Sequence, residues 1–261
     1  MTAPFAVFHI PHSSTVVPAH VRPSLCLPEK ALAHEILLMT DHYADELFDC
    51  QAEPNTRVVF PVSRLVLDPE RFIDDAVEPM AKKGMGVVYV KTSDGKPLRE
   101  PGFVPSKVEL IEEFYHAHHN KLETAVAESL RDNASCLVLD CHSFPSKPLP
   151  YEDRSARIRP DICLGTIPFH TPEWLFEEAD RLFRAGGLRV AQNYPFGGAL
   201  LPNRYYQRDK SVLALMIEIN RSLYMDEVLG ERLPGFAGLK STLRRTLRDL
   251  MLVARKQMRF V

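Results

Sequence analysis

Short apolar runs alternate with longer stretches in which apolar residues return every three or four positions, an alternation that predicts a β/α chain. Strands are predicted over residues 5–10, 57–62, 86–91, 135–141, 162–166, 188–192 and 212–219. Several of these runs are apolar at successive positions, as expected for strands covered on both faces. Helices are predicted over residues 29–48, 105–131, 172–185 and 239–260. In the second helix Val108, Ile111, Tyr115, His118, Leu122 and Val126 form one inward stripe. Pro105 suits its first turn, and Gly186-Gly187 suits the end of the third helix. The last helix gathers Leu243, Leu247, Leu250 and Val253 on one face, with Arg244, Arg245, Arg248, Arg255 and Lys256 elsewhere. It reads as a closing helix with a solvated cationic face rather than a membrane- or partner-binding helix. The fold class expected from this pattern is α/β: a single domain over residues 1–261, with a mixed twisted sheet flanked by helices.

Composition narrows the class of partner. The 261 residues are 45% hydrophobic and 25% charged, with a formal net charge of -2, which is ordinary globular chemistry. Nothing in that balance calls for nucleic acid or a membrane surface. No apolar run is long enough to span a bilayer, and the first residues lack the basic start of a signal peptide, so the cytoplasm is the expected compartment. The five cysteines are odd in number, widely spread and partly embedded in apolar runs. They read as reduced core residues, and without a CxxC pair a thiolate zinc site is disfavoured.

Candidate chemistry collects at the carboxyl ends of predicted strands, where open α/β sheets bind ligands. The first strand runs into His9-Ile-Pro-His12-Ser-Ser14, the fourth into Asp140-Cys-His142-Ser143, and the last into Glu218-Ile-Asn220-Arg221. Two histidines from separate strand ends with one or two acids suit zinc or a related divalent metal, one ion per chain. A hydrolytic metal needs about three protein ligands and an open position for water. His12 and His142 are the first two candidates. The third is an oxygen donor from Asp41 or Asp45, which sit four apart on one face of the first predicted helix. Taken singly, each of these residues is better read as a capped loop histidine or a solvated acid; their joint placement carries the case. The stretch His116-Ala-His118-His119 is not assigned to metal, because its imidazoles fall on different helix faces.

Arg64 and Arg71, which flank Leu-Val-Leu-Asp-Pro-Glu, and Arg204 and Arg221 are candidates for binding substrate carboxylates. The competing assignment for Arg64 and Arg71 is ion pairing with Asp68, Glu70 or Asp74. Gly197-Gly198 permits close backbone approach to a ligand, but no nucleotide-binding glycine motif and no GxSxG elbow occurs. Ser13, Ser14 or Ser143 as nucleophile is the weaker enzymatic reading, since a neighbouring histidine in sequence does not make a triad.

Taken in order, His9-Ile-Pro-His-Ser-Ser14, Thr40-Asp-His-Tyr-Ala-Asp-Glu-Leu-Phe48, Pro61-Val-Ser-Arg-Leu-Val-Leu-Asp-Pro-Glu-Arg71, Asp140-Cys-His-Ser143, Asn193-Tyr-Pro-Phe-Gly-Gly198 and Ile217-Glu-Ile-Asn-Arg-Ser-Leu-Tyr-Met-Asp-Glu227 resemble the motif series of N-formylglutamate amidohydrolases. The resemblance implies a fold similar to zinc carboxypeptidases and the aspartoacylase group, with one catalytic zinc. It implies His12, His142 and Asp41 as ligands, Glu218 as general base, Arg71 in the place of a carboxylate-holding arginine, a small acidic substrate, and a link to histidine degradation. Two positions depart from the family's pattern. Glu70 stands where an Asn is expected, and a carboxylate there opposes an acidic substrate if it faces the site. Ala117-His118-His119 stands where Pro-Tyr-His is usual. Alternatives are hydrolysis of another N-acyl amino acid, or a catalytically silent protein that binds small carboxylates on the same fold.

Overall fold

The computed structural model describes residues 3–51, 53–152 and 158–258. Six strands form one sheet: β1 (Ala6–Ile10), β2 (Asn55–Val59), β3 (Cys136–Phe144), β4 (Ile162–Gly165), β5 (Val190–Gln192) and β6 (Val212–Asn220). Their spatial order is β2-β1-β3-β6-β4-β5. The first four are mutually parallel, β4 runs antiparallel to β6, and β5 is parallel to β4. The carboxyl ends of β1, β3 and β6 therefore meet on one edge, and β1 sends its connection to β2 on the side away from β3. That boundary is where such sheets open a crevice.

The helices are α1 (Glu29–Met39), α2 (Ala44–Leu47), α3 (Lys107–Leu110), α4 (His116–Asn133), α5 (Glu173–Ala185) and α6 (Phe236–Gln257). Side-chain alternation along the strands sorts them into two layers. Phe8, Ile10, Leu137, Leu139, Cys141, Leu215 and Ile217 face α2, α5 and α6. Val7, Val138, Val212 and Ala214 face Leu122, Ala125 and Val126 of α4. Leu243, Leu247 and Leu250 of α6 are completely buried, each contributing about 2 kcal/mol of apolar transfer. The closing-helix reading is thus borne out, although residues 259 and 260 of the predicted helix lie outside the described residues. None of the five cysteines forms a disulfide. Among the described residues, no helix is long and apolar enough to cross a membrane.

Three expectations about elements need correction. Residues 29–48 are not one helix: α1 stops at Met39, Thr40 is extended, and Tyr43 takes φ 63 before α2. Tertiary bonds impose that break, since Asp41 N donates to His12 O and Arg221 donates to Leu38 O. Residues 86–91 form no sheet strand; among the described residues only the isolated bridges Met85–Tyr89 and Lys91–Pro97 occur there. Val87, Val88 and Tyr89 are consumed instead by two small cores of the excursion that follows β2. In the second predicted helix, a π-helical turn over Ile111–Tyr115 joins α3 to α4. The added residue in that turn shifts the phase, so Leu110 and Ile111 turn inward while Val108 is 67% exposed. The capping box uses Ser106 and Glu109, which leaves Pro105 ahead of the cap.

Candidate active site

The site is a continuation of the α4-facing side of the sheet. Along β3 and β6 that side reads Val138, Asp140, His142 and Ala214, Met216, Glu218: apolar beneath the helix, polar where its cover ends. Both strands run further than their apolar pattern predicts, to Phe144 and Asn220, and pair His142 directly with Glu218. These side chains therefore stand on hydrogen-bonded strands rather than on loops. His12 follows β1, Asp41 follows α1, and the excursion after β2 brings in Arg64, Asp68, Glu70 and Arg71. A cavity of about 310 Å³ is lined by His12, Asp41, Glu70, His142, Glu218, Arg64, Arg71 and Arg221.

Asp68 organises one wall. It is wholly buried; Oδ1 accepts from His12 Nε2 at 2.7 Å, and Oδ2 accepts from Arg64 Nη2 at 2.7 Å and Tyr89 OH at 2.6 Å. Burial opposes the charge on Asp68, but Arg64, His12 and Arg71 outweigh it and hold the carboxyl well below its usual range. Anchored this way, His12 turns Nδ1, which has no hydrogen-bond partner, into the cavity. Burial and the Arg64 charge lower the His12 pKa, so that nitrogen carries a lone pair rather than a proton.

His142 repeats the arrangement. Its Nε2 donates to Asp140 Oδ1 at 3.0 Å, while Nδ1 lies 3.3 Å from Asp41 Oδ2. Asp140 is fixed in turn by His9 Nδ1 at 2.8 Å and Leu200 N at 2.6 Å, and His9 Nε2 meets His118 Nε2 at 2.9 Å. The other oxygen of Asp41 accepts from Arg221 Nη2 at 2.9 Å. Asp41 Oδ2 and Glu70 Oε2 are both 3.8 Å from His12 Nδ1, and Glu70 Oε1 is 3.2 Å from His142 Nε2. Burial disfavours charge on His142, but Glu70, Asp140 and Asp41 outweigh it and raise its pKa well above the ordinary value. The cluster demands positive charge at this point. Burial pushes Glu218 up to about 8, against the pull of His142 and with Asp41 and Glu70 adding to the rise; its Oε2 has no partner.

Donors of this chemistry fit a divalent cation. Ligand atoms of His12, Glu70 and His142 lie within 4.8 Å of one another, as do those of His9, Glu70 and Asp140. The second group is the poorer candidate because neither His9 nor Asp140 lines the site cavity. In His12 and His142 alike, one ring nitrogen is held by a buried carboxylate and the other is turned to Asp41, the carboxylate–histidine arrangement found behind metal ligands.

The structure brings His12, Asp41, His142, Glu218, Arg64, Arg71 and Arg221 to one cavity. Asp45 is exposed on α2, which separates it from Asp41. Arg204 does not reach the site; it lies at the surface, 3.5 Å from Glu123. Arg221 lines the cavity, but its guanidinium is spent on Asp41, Ser143 and Leu38 O. Arg64 is paired with Asp68, as its ion-pair reading expects, and also lines the cavity. Sequence reasoning missed Asp68 as the anchor of His12 and Asp140 as the anchor of His142, whereas Glu70, raised there as a departure from the family pattern, does line the site. The Asp140-x-His142 spacing held the one legible signal, since alternate residues of a strand share a face.

The profile of the N-formylglutamate amidohydrolase family matches residues 5–225. The chain belongs to the N-formylglutamate amidohydrolase family. Membership makes it a hydrolase of the amidohydrolase class. Among solved structures, the N-formylglutamate amidohydrolase from Ralstonia eutropha is similar over 99% of this chain and 95% of that one, at 26% identity and a TM-score of 0.83. A gene product from Agrobacterium tumefaciens shares the fold over 99% of this chain and 93% of its own, at 19% identity and a TM-score of 0.64. No curated protein matches the chain significantly.

A consequence of the Asp68 anchor is testable. Asp68→Asn removes the charge that two arginines and His12 share, and breaking such a buried network costs about 3 kcal/mol. Urea unfolding is expected to show that loss, and competition with a chelator is expected to show metal affinity weakened about 10- to 100-fold. Unchanged affinity would mean that Asp68 does not orient His12 for a metal.

Proposed function

We propose that the protein hydrolyses the amide of an N-acyl amino acid, N-formyl-L-glutamate first, to L-glutamate and formate, using one divalent metal ion per chain, zinc by the chemistry of its donors. One observation carries the reading: His12 and His142 each turn an Nδ1 toward Asp41 Oδ2, at 3.8 and 3.3 Å, beside the unpartnered Glu218 oxygen. His12, His142 and Asp41 are the residues that would hold the ion, with Asp68, Asp140 and Arg221 fixing their orientation.

A divalent ion bound there supplies a Lewis acid that lowers the pKa of water and polarises an amide carbonyl. Glu218 is the base. It takes a proton from the attacking water and delivers it to the amine nitrogen as the C–N bond breaks. Arg71 lines the cavity with a buried Nε that lies 3.8 Å from Asp68 Oδ2 and makes no hydrogen bond, a donor within reach of a substrate carboxylate. Glu70 faces the same cavity beside Arg71, so its charge opposes a substrate carboxylate held there and Arg64 is the cation it offsets less.

The direct test is formate release from N-formyl-L-glutamate by zinc-loaded protein, set against neutral N-formyl amino acids at equal concentration. Preference for the glutamate derivative is expected; equal rates would remove the acidic-substrate claim and leave the amidohydrolase. Arg71→Ala is expected to raise KM about tenfold or more, the scale of a charge-assisted hydrogen bond, with a smaller change in kcat and full metal content.

A further inference from the structure

We propose that His118 is a positioning residue for the metal centre: by donating from Nε2 to His9 it fixes the His9 tautomer that holds Asp140, and through Asp140 the ring of His142. The inference rests on the reading of His142 as a metal ligand. It adds a residue that sets the orientation of that ligand from three hydrogen bonds away.

Of the histidines in His116-Ala-His118-His119, only His118 turns under the helix to meet the sheet. His116 is exposed beside Glu112, and His119 donates from Nε2 to Pro69 O at 2.8 Å. His118 is 2% exposed and opens the buried stripe of α4 that continues through Leu122, Ala125 and Val126. Beneath it, the register of the parallel strands sets His9 of β1 beside Asp140 of β3, on the face that also carries Val7 and Val138. A core histidine on an apolar stripe needs no function, and this ring does pack edge-on to Phe60 with centroids 5.0 Å apart. Its hydrogen bond to His9 goes beyond packing.

The direction of each bond follows from what its partner can do. Asp140 Oδ2 accepts from Leu200 N at 2.6 Å, so the two imidazoles share Oδ1, His9 Nδ1 at 2.8 Å and His142 Nε2 at 3.0 Å. A carboxylate only accepts, so His9 carries a proton on Nδ1 and His142 one on Nε2. The next bond joins His9 Nε2 and His118 Nε2 at 2.9 Å, and one of the two must donate. Burial lowers the His118 pKa to about 2, so its ring is neutral with a single N–H. Donation from His9 would place that N–H on His118 Nδ1, a buried atom with no acceptor, and would require a second proton on the fully buried His9. Donation from His118 Nε2 avoids both. His9 then accepts at Nε2, and its own proton is confined to Nδ1, aimed at Asp140.

Hydrogen bonds in such a chain polarise one another, so a proton donated to His9 Nε2 makes its Nδ1–H the better donor to Asp140. With a hydrocarbon in place of His118, His9 keeps an unpaired buried acceptor, and its hold on Asp140 weakens. Asp140 orients His142, so the loss reaches the ligand.

The first measurement is the tautomer, read by nitrogen NMR on metal-free wild-type protein with isotope-labelled histidine. His9 is expected to carry its proton on Nδ1 and His118 on Nε2. A proton on His118 Nδ1, or two on His9, would overturn the proposal. The second is zinc affinity by chelator competition in two variants. His118→Phe keeps an aromatic ring against Phe60 and removes the donor, whereas His118→Gln keeps an amide N–H near the place of Nε2. The Phe variant is expected to bind zinc about three- to tenfold more weakly, less than the roughly 10- to 100-fold that follows loss of a supporting carboxylate. The Gln variant is expected to stay within about twofold of the wild type. A merely structural His118 predicts the opposite order, because phenylalanine suits the apolar stripe better than glutamine. Wild-type affinity in the Phe variant, or equal loss in both, would therefore sink the inference and leave the metal reading intact. A wild-type chain without zinc affinity would sink both. If neither variant folds, the wild-type tautomers decide alone.

Discussion

Glu218→Gln is expected to lower turnover of N-formyl-L-glutamate by roughly two or more orders of magnitude, the usual contribution of a general base. The fold and the metal content should stay. Glu218 sits on β6 opposite His142, buried, with one oxygen that touches no protein donor. Glutamine has the same shape, and Oε2 gives up no protein hydrogen bond in the change, so the substitution adds little cost to the fold. The competing structural role, a strand glutamate paired with Arg221, predicts a loss of stability instead. Arg221 is in fact bonded to Asp41, Ser143 and Leu38. Steady-state kinetics, metal analysis and a thermal melt on the same preparation separate the two: wild-type turnover in the variant would remove Glu218 from the mechanism.

Metal content provides the second large effect. The wild-type chain is expected to bind about one divalent ion tightly, and His142→Ala or Asp41→Ala to weaken that binding by more than about 100-fold, beyond what loss of a supporting carboxylate does. Glu70→Gln is expected to retain the ion. The distinction follows from the imidazoles: Asp68 and Asp140 hold the Nε2 sides of His12 and His142, leaving both Nδ1 atoms toward Asp41. If Glu70→Gln lost metal while Asp41→Ala kept it, His142 would be using its other nitrogen and the ligand set would be His12, Glu70 and His142. A wild-type chain with no affinity for zinc or its neighbours would instead favour a silent binder of small carboxylates. Removing the ion with a chelator and restoring it should abolish and recover formate release.

Much of this molecule is legible in its linear pattern. Six of the seven predicted strands exist within a few residues; β1, β3, β4 and β6 are buried throughout, and a strand buried on both faces must be apolar at most successive positions. The α/β class and the placement of His12, His142 and Glu218 at one sheet edge follow from that, since parallel strands put their carboxyl ends together. The family motifs added Asp41 over Asp45. Local pattern failed where distant contacts override it. Asp41 left the predicted helix because His12 O and the Arg221 guanidinium claim the backbone around it. Val87 to Tyr89, strand-like in composition, went to the small cores that carry Asp68, Glu70 and Arg71 to the site. Which arginine faces the cavity and which faces solvent was decided the same way: Arg64 found a buried carboxylate four residues on, Arg204 only a surface one. Most of all, the anchoring pairs His12–Asp68 and His9–Asp140 join residues 56 and 131 positions apart. No periodicity records such distances, because the bond between an imidazole and its carboxylate depends on sheet order and register, which form only when the whole chain packs.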